Sequence, residues 1–289
     1  MAITNTRSYL SGVSWFILSL CTSSINDVIS KYLGMRLGIY EVTLFRFFFS
    51  MLNLLPFLIY SGSTSLISTK SIMHCFRGLL LFLGTICWTY GLTIAQVTVA
   101  TIVTFIIPVI TLILGAIFLK ERIIWQRWFC TIIAFLGLVL TLQVNSHNFS
   151  YKILVFVVAA ICFSALDIIN KRLVSEESML SMLFYSAAFT ALFALPFTLQ
   201  YWITPCKMEL FLLFLLGISS NITLLFLLKA FAIIDVTAFA PYRYIELLVS
   251  SIVAYIVFLE IPTQNIIWGS IVIIPSTLFI LYSEIKESR

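Results

Sequence analysis

The chain has 289 residues and a net charge of +5, yet charged residues make up only 10% of it and hydrophobic ones 61%. A mean hydropathy of +1.10, with apolar runs too long and too many for one soluble core, excludes a water-soluble globular domain and describes a polytopic membrane protein. Six cysteines fall mostly inside apolar runs without CxxC spacing, and His74 and His147 complete the histidines, a pattern that offers neither a disulfide framework nor a metal site.

A bilayer span needs about 20 mostly apolar residues. In chain order such runs fall near 9–32, 41–60, 74–93, 97–119, 125–143, 151–170, 179–200, 209–229, 236–258 and 266–283. The first follows Arg7, has no small-residue cleavage site behind it and is closed by Asn26, Asp27 and Lys31, so it reads as an uncleaved span. With the N-terminus inside, the cytoplasmic positions collect eleven basic residues: Arg7, Lys70, Arg77, Lys120, Arg122, Arg127, Lys171, Arg172, Lys229, Lys286 and Arg289. Only Lys31, Arg36, Lys152 and Lys207 fall outside, and that asymmetry predicts both termini in the cytoplasm.

The sequence also matches itself. Shifted by 140 residues, SINDVISKYL (24–33) meets SALDIINKRL (164–173), the LPF of 55–57 meets that of 195–197, and Phe49 meets Phe189. A shift of 139 lays Gly78 on Gly217 and Val97-Thr98 on Val236-Thr237, while Phe118-Leu119 with Glu121 and Phe258-Leu259 with Glu260 both lead into IIW. A nearly constant offset over four consecutive span pairs predicts two repeats, 1–145 and 146–289. Five spans per repeat is an odd number, so the second repeat enters the membrane upside down. The expected fold is therefore an all-α polytopic membrane protein with ten transmembrane helices as two inverted five-helix repeats, a plan that places a solute site near the midplane between the halves.

That plan, with RFFFS (46–50), HCFRGLLLFLG (74–84), TYGLTIAQVTVATIVTFIIPV (89–109) and FLKERIIWQRW (118–128), resembles the drug/metabolite transporter superfamily and its EamA-like repeats. Within it, SMLFYSA (181–187), YWITP (201–205), APYRYIELLVS (240–250) and LFILYSE (278–284) resemble the branch that takes up S-adenosylmethionine in obligate intracellular bacteria. The resemblance covers nearly the whole chain. It implies a bacterial inner-membrane antiporter importing S-adenosylmethionine in exchange for S-adenosylhomocysteine, with no cofactor, no nucleic-acid partner and membrane lipid as its surroundings.

Such a solute offers an adenine, a carboxylate, an ammonium and a sulfonium, which call for aromatic faces, a guanidinium and a carboxylate. In span 1, Trp15, Ser19, Ser23, Asn26 and Ser30 form a polar stripe beside Asp27, facing either a water-filled cavity or another helix through small residues. Arg46 stands five residues into span 2 and reads as a carboxylate ligand or an internal ion-pair partner, snorkelling being the alternative. In span 3, Arg77, Leu81, Gly84, Trp88 and Gly91 share a face; the glycines leave a gap for Trp88, which with Tyr90 is nominated to stack on adenine, while Arg77 anchors orientation. Pro108 is expected to break span 4. In span 9, Pro241 is expected to kink the helix, with Tyr242 beside Arg243 and Glu246, which pair three residues apart or open to engage the solute.

Asp27 can pair with Lys31 one turn on. Its repeat mate is Asp167, near the opposite membrane face, so the two aspartates read as related gating positions. A transporter of the same architecture for another solute, such as an amino-acid or drug exporter, remains an alternative, as does a channel-like role. A membrane enzyme would need a ligand or catalytic cluster that the residues do not offer, and no P-loop is present to drive transport with ATP.

Overall fold

The computed structural model describes residues 6–61, 68, 70–94, 106–141, 152–246, 249, 271, 274–275, 278–283 and 285–286. Its elements are α1 (Thr6–Gly34), α2 (Ile39–Ser61), α3 (Ser71–Ile94), α4 (Ile106–Leu114), α5 (Trp125–Thr141), α6 (Lys152–Leu173), α7 (Met179–Thr198) and α8 (Lys207–Ile233). A π-helical turn, Gly115–Leu119, extends α4, and a 3₁₀ helix, Val236–Tyr244, follows α8. None of the described residues lies in a strand. Among them α1, α2, α3, α6, α7 and α8 are long and apolar enough to cross a membrane. About half of the expected ninth and tenth spans, residues 97–105 of the fourth, His147 and the Lys31 side chain lie outside the described residues.

Local chemistry sets several boundaries. Ser178 caps α7 by accepting from the Ser181 amide at 3.1 Å, and Glu209 in the first turn of α8 accepts from the Cys206 amide at 2.7 Å. Pro56 and Pro196, from the repeated LPF, lie inside α2 and α7 near their ends. Pro108 breaks nothing in the described helix: it sits in the first turn of α4, where a missing N–H leaves no bond unmade.

The break between α8 and the 3₁₀ helix is pinned from three sides. Lys171 donates to the Phe231 and Ile234 carbonyls at 2.6 and 2.7 Å, satisfying the C-terminal end of α8. Glu121 accepts from the Val236 and Thr237 amides at 3.1 and 3.0 Å, and Arg127 donates to Thr237 Oγ1 at 2.7 Å. Arg127 is buried and Arg77 wholly so, while Lys171 is held by backbone carbonyls, so three of the eleven basic residues serve the interior and not a lipid headgroup.

The outer surface carries large apolar side chains such as Ile59, Ile72, Phe118, Leu154 and Leu199, while Ser24, Asn26, Thr43, Asp167 and Asn170 are buried. Apolar outside and polar inside is the distribution that hydrocarbon selects. α1 packs on α8, α3 on α6, and α2 on α7, with α2 also meeting α8 and α3 meeting α7. The closest approaches use glycine: Gly78 lies against Phe189 and the Thr190 backbone, and Gly217 against Phe49 and the Ser50 backbone. At the ends, Arg36 pairs with Glu209 at 3.2 Å and Lys70 pairs with Glu176.

Candidate functional site

α1, α2, α3, α6, α7 and α8, with the tip of α4 and the stretch after α8, surround a cavity of about 460 Å³, within the range of roughly 300–1,000 Å³ usual for small-molecule sites. Ser30, Gly34, Met35 and Ile39 line one end, where Met35 is 84% exposed, so the cavity opens at the α1–α2 turn. Arg77 and Asn170 also line it, both 0% exposed, and mark its sealed end.

The α1 face of this cavity is Phe16, Ser19, Leu20, Ser23, Asp27, Ser30 and Gly34, along a line that advances about 3.6 residues per turn. Trp15 and Asn26 stand one residue off that line, about 100° round the helix. Trp15 packs against Phe226, with the Lys229 ammonium 4.2 Å from its ring centre, and the buried Asn26 donates to Thr223 Oγ1 at 3.0 Å. Neither is part of the wall. Tyr90 is exposed on the outside, and Tyr242 is buried with its hydroxyl 3.1 Å from that of Tyr9. Arg46, Trp88, Arg243, Glu246, Asp27 and Asp167 do line the cavity.

The expected gap beside Trp88 is filled. Cβ atoms at Gly84 and Gly91 would run into the rings of Phe163 and Phe156 of α6, and Trp88 meets Phe156 edge-on at 5.5 Å. With Phe16, Phe47 and Phe163, Trp88 gives the cavity an aromatic wall. Arg46 donates to Ser220 at 2.6 Å, its charge within reach of Asp27. A second tie joins the same helices: Ser50 donates to Asn221 Oδ1 at 2.5 Å, and Asn221 Nδ2 donates to the Ser50 carbonyl at 2.8 Å.

Arg243 pairs with Asp167 of α6, not with Glu246, and lies over Phe16 at 5.9 Å. Three-residue spacing keeps Arg243 and Glu246 near one face in 3₁₀ as in α-helical winding, so what decides the pairing is Asp167, which α6 brings to the guanidinium. Glu246 thus keeps its carboxylate for the cavity, within electrostatic reach of Asp27 and Arg243. Asp27 and Asp167 line this one cavity, Asp27 one turn before Ser30 at its open end and Asp167 one turn before Asn170 at its sealed end. Asp27 is exposed and Asp167 is buried.

Arg77, read from the sequence as an interfacial anchor, belongs to the site. Its Nε donates to Asn170 Oδ1 at 2.8 Å, and its Nη1 lies 3.0 Å from His74 Nδ1 and donates to the Met182 carbonyl at 3.4 Å. His74 stacks on Tyr185 at 4.8 Å and is 3.8 Å from Glu177. The signal for Arg77 was present in its shared face with Leu81 and Trp88, both of which line the cavity; nothing in the sequence singled out Asn170.

A bundle apolar on its outside, with a half-open, charge-lined cavity of solute size inside, defines a multi-pass membrane protein built to hold a small polar molecule. Residues 10–143 and 150–282 each match the model of the EamA-like transporter family, and the chain belongs to that family. It is 57% identical over 281 residues to the S-adenosylmethionine uptake transporter of Rickettsia prowazekii, covering 97% of this chain and 96% of that protein. It is 24% identical to the riboflavin transporter of Vibrio cholerae, covering 97% and 96%. A solved crystal structure at 14% identity superimposes with a TM-score of 0.76 over 94% of this chain and 96% of that one, a likeness of fold.

Proposed function

We propose that this protein imports S-adenosylmethionine across a bacterial inner membrane by alternating access, exchanging it for S-adenosylhomocysteine and catalysing no covalent step. The observation that carries the solute is the 57% identity, over nearly the full length, to a transporter of that name. The cavity supports it chemically. Trp88, Phe47 and Phe163 offer faces for adenine, while Asp27 and Glu246 offer carboxylates to a solute with two positive groups.

The architecture that goes with this reading is ten spans in two inverted repeats, 1–145 and 146–289, with both termini in the cytoplasm. Internal two-fold relations support it. The contacts α1 with α8 and α3 with α6 exchange under the 140-residue shift, as do Gly78 on Phe189 and Gly217 on Phe49. Both members of repeat pairs line the cavity: Ser23 and Phe163, Asp27 and Asp167, Ser30 and Asn170, Arg46 and Ser186. The end clasps correspond as well, with Arg36 matching Glu176 and Lys70 matching Glu209, so the same pairing recurs with its charges exchanged.

Uptake of labelled S-adenosylmethionine by bacteria expressing the protein, with unlabelled S-adenosylhomocysteine and riboflavin as competitors, tests the proposal. Saturable uptake, inhibited by S-adenosylhomocysteine and accelerated by preloading with it, is expected. No uptake above the empty-vector control would sink the reading.

A further inference from the structure

We infer that Arg77 and Asn170, at the sealed end of the cavity, form the subsite for the carboxylate of an α-amino acid group. The inference rests on the transport reading above and adds to it the part of the solute that this end receives. Both side chains line the cavity and both are 0% exposed. Arg77 Nη2 and Asn170 Nδ2 nevertheless have no hydrogen-bond partner among the described residues. A buried donor left unmade is costly, and most such donors in folded proteins find a partner.

The remaining valences make the two donors a matched pair. Arg77 Nε is used by Asn170 Oδ1, and Nη1 by His74 and the Met182 carbonyl. What is left is one edge of the guanidinium next to the amide of the residue bonded to it. Two adjacent N–H donors, one of them cationic, fit the two oxygens of a carboxylate.

Glu177 lies within electrostatic reach of Arg77, but no carboxylate among the described residues bonds it. Asp167, one turn before Asn170, is paired with Arg243. Glu177 lies beyond His74 and accepts from Ser68 at 2.7 Å. Among the described residues Arg77 makes no ion pair. Arg46, the guanidinium the sequence nominated for this role, already bonds Ser220 and faces Asp27. A carboxylate bound at Arg77 would also add the missing acceptor to the network that seals this end, coupling occupancy to the closed arrangement.

The test uses decarboxylated S-adenosylmethionine, which keeps the adenosyl, sulfonium and ammonium groups and lacks only the carboxylate. Against labelled S-adenosylmethionine, the wild type should be inhibited at least tenfold more weakly by this analogue than by unlabelled S-adenosylmethionine, a gap of about 1.4 kcal/mol. Asn170→Asp keeps the acceptor for Arg77 Nε and replaces the free donor with an oxygen, so the gap should close to under threefold. Arg77→Lys should narrow it too, and Arg46→Gln should leave it intact. Where a variant no longer transports, stabilisation of the purified protein by each compound in a thermal shift reads the same ratio.

A wild type that transports S-adenosylmethionine without distinguishing the analogue overturns the inference. So does an Asn170→Asp protein that keeps the tenfold gap, or a gap that closes only with Arg46→Gln. A wild type that takes up no S-adenosylmethionine overturns the transport reading instead.

Discussion

Asp27 and Asp167 are equivalent in the repeat, and replacing each with Asn should separate them. Asp167 carries a side chain 6% exposed and holds Arg243, itself 17% exposed. Breaking a buried ion pair by removing one partner costs about 3–5 kcal/mol. Arg243 keeps the Phe16 ring, and an Asn side chain can still accept one bond, so Asp167→Asn should cost about 2–4 kcal/mol. Asp27 faces the cavity and has Arg46 only at a distance, so Asp27→Asn should cost about 1 kcal/mol or less. Thermal unfolding of the purified protein in detergent measures both, and labelled uptake at matched expression measures function. The expected pattern is a clear drop in melting temperature for Asp167→Asn alone, with uptake lowered in both. Adding Arg243→Gln to Asp167→Asn removes the orphaned charge and should recover at least half of the lost stability. The reasoning fails if the two single variants melt together, or if adding Arg243→Gln to Asp167→Asn recovers none of the lost stability.

Gly217→Ala would place a Cβ 2.7 Å from the Ser50 amide nitrogen and 2.9 Å from Phe49; pushing α2 from α8 should loosen the Ser50–Asn221 bonds and cost about 2–4 kcal/mol in thermal unfolding. Trp88→Ala should raise the KM for S-adenosylmethionine about tenfold, as loss of one aromatic–base stack does, whereas Trp15→Ala should leave KM within about twofold because Trp15 packs on Phe226 away from the wall; radiolabel uptake compares them. Arg36→Glu should change stability by about 1 kcal/mol or less, since the Arg36 side chain is 51% exposed, but should alter the exchange rate. Adding Glu209→Arg should restore that rate, as measured in counterflow from preloaded vesicles.

Long apolar runs made the helices legible, because a bilayer leaves the backbone no alternative to internal hydrogen bonding. On α1 the helical period found Ser19, Ser23 and Ser30, but it set Trp15 and Asn26 on the same stripe and Asp27 beside it, whereas Asp27 is the one that lines the cavity. The same period failed at Tyr242, which is buried against Tyr9. There the chain winds as 3₁₀ from Val236 to Tyr244, and the face turns with it. It also failed at Arg77, because a basic residue three positions inside a span boundary looks the same from sequence whether it reaches the headgroups or bonds Asn170.

By itself, the sequence determined that the chain lives in a membrane, that its described helices fall where apolar runs fall, and that its two halves share one plan, since these depend on composition, run length and constant offset. Only the tertiary structure decided which charges meet. Asp27 opens onto the cavity while its mate Asp167 is committed to Arg243, because the partner comes from a segment 76 residues away whose winding no local pattern encodes. The same long-range packing turned Arg77 and Asn170 toward each other at the floor of the cavity, 93 positions apart in the chain.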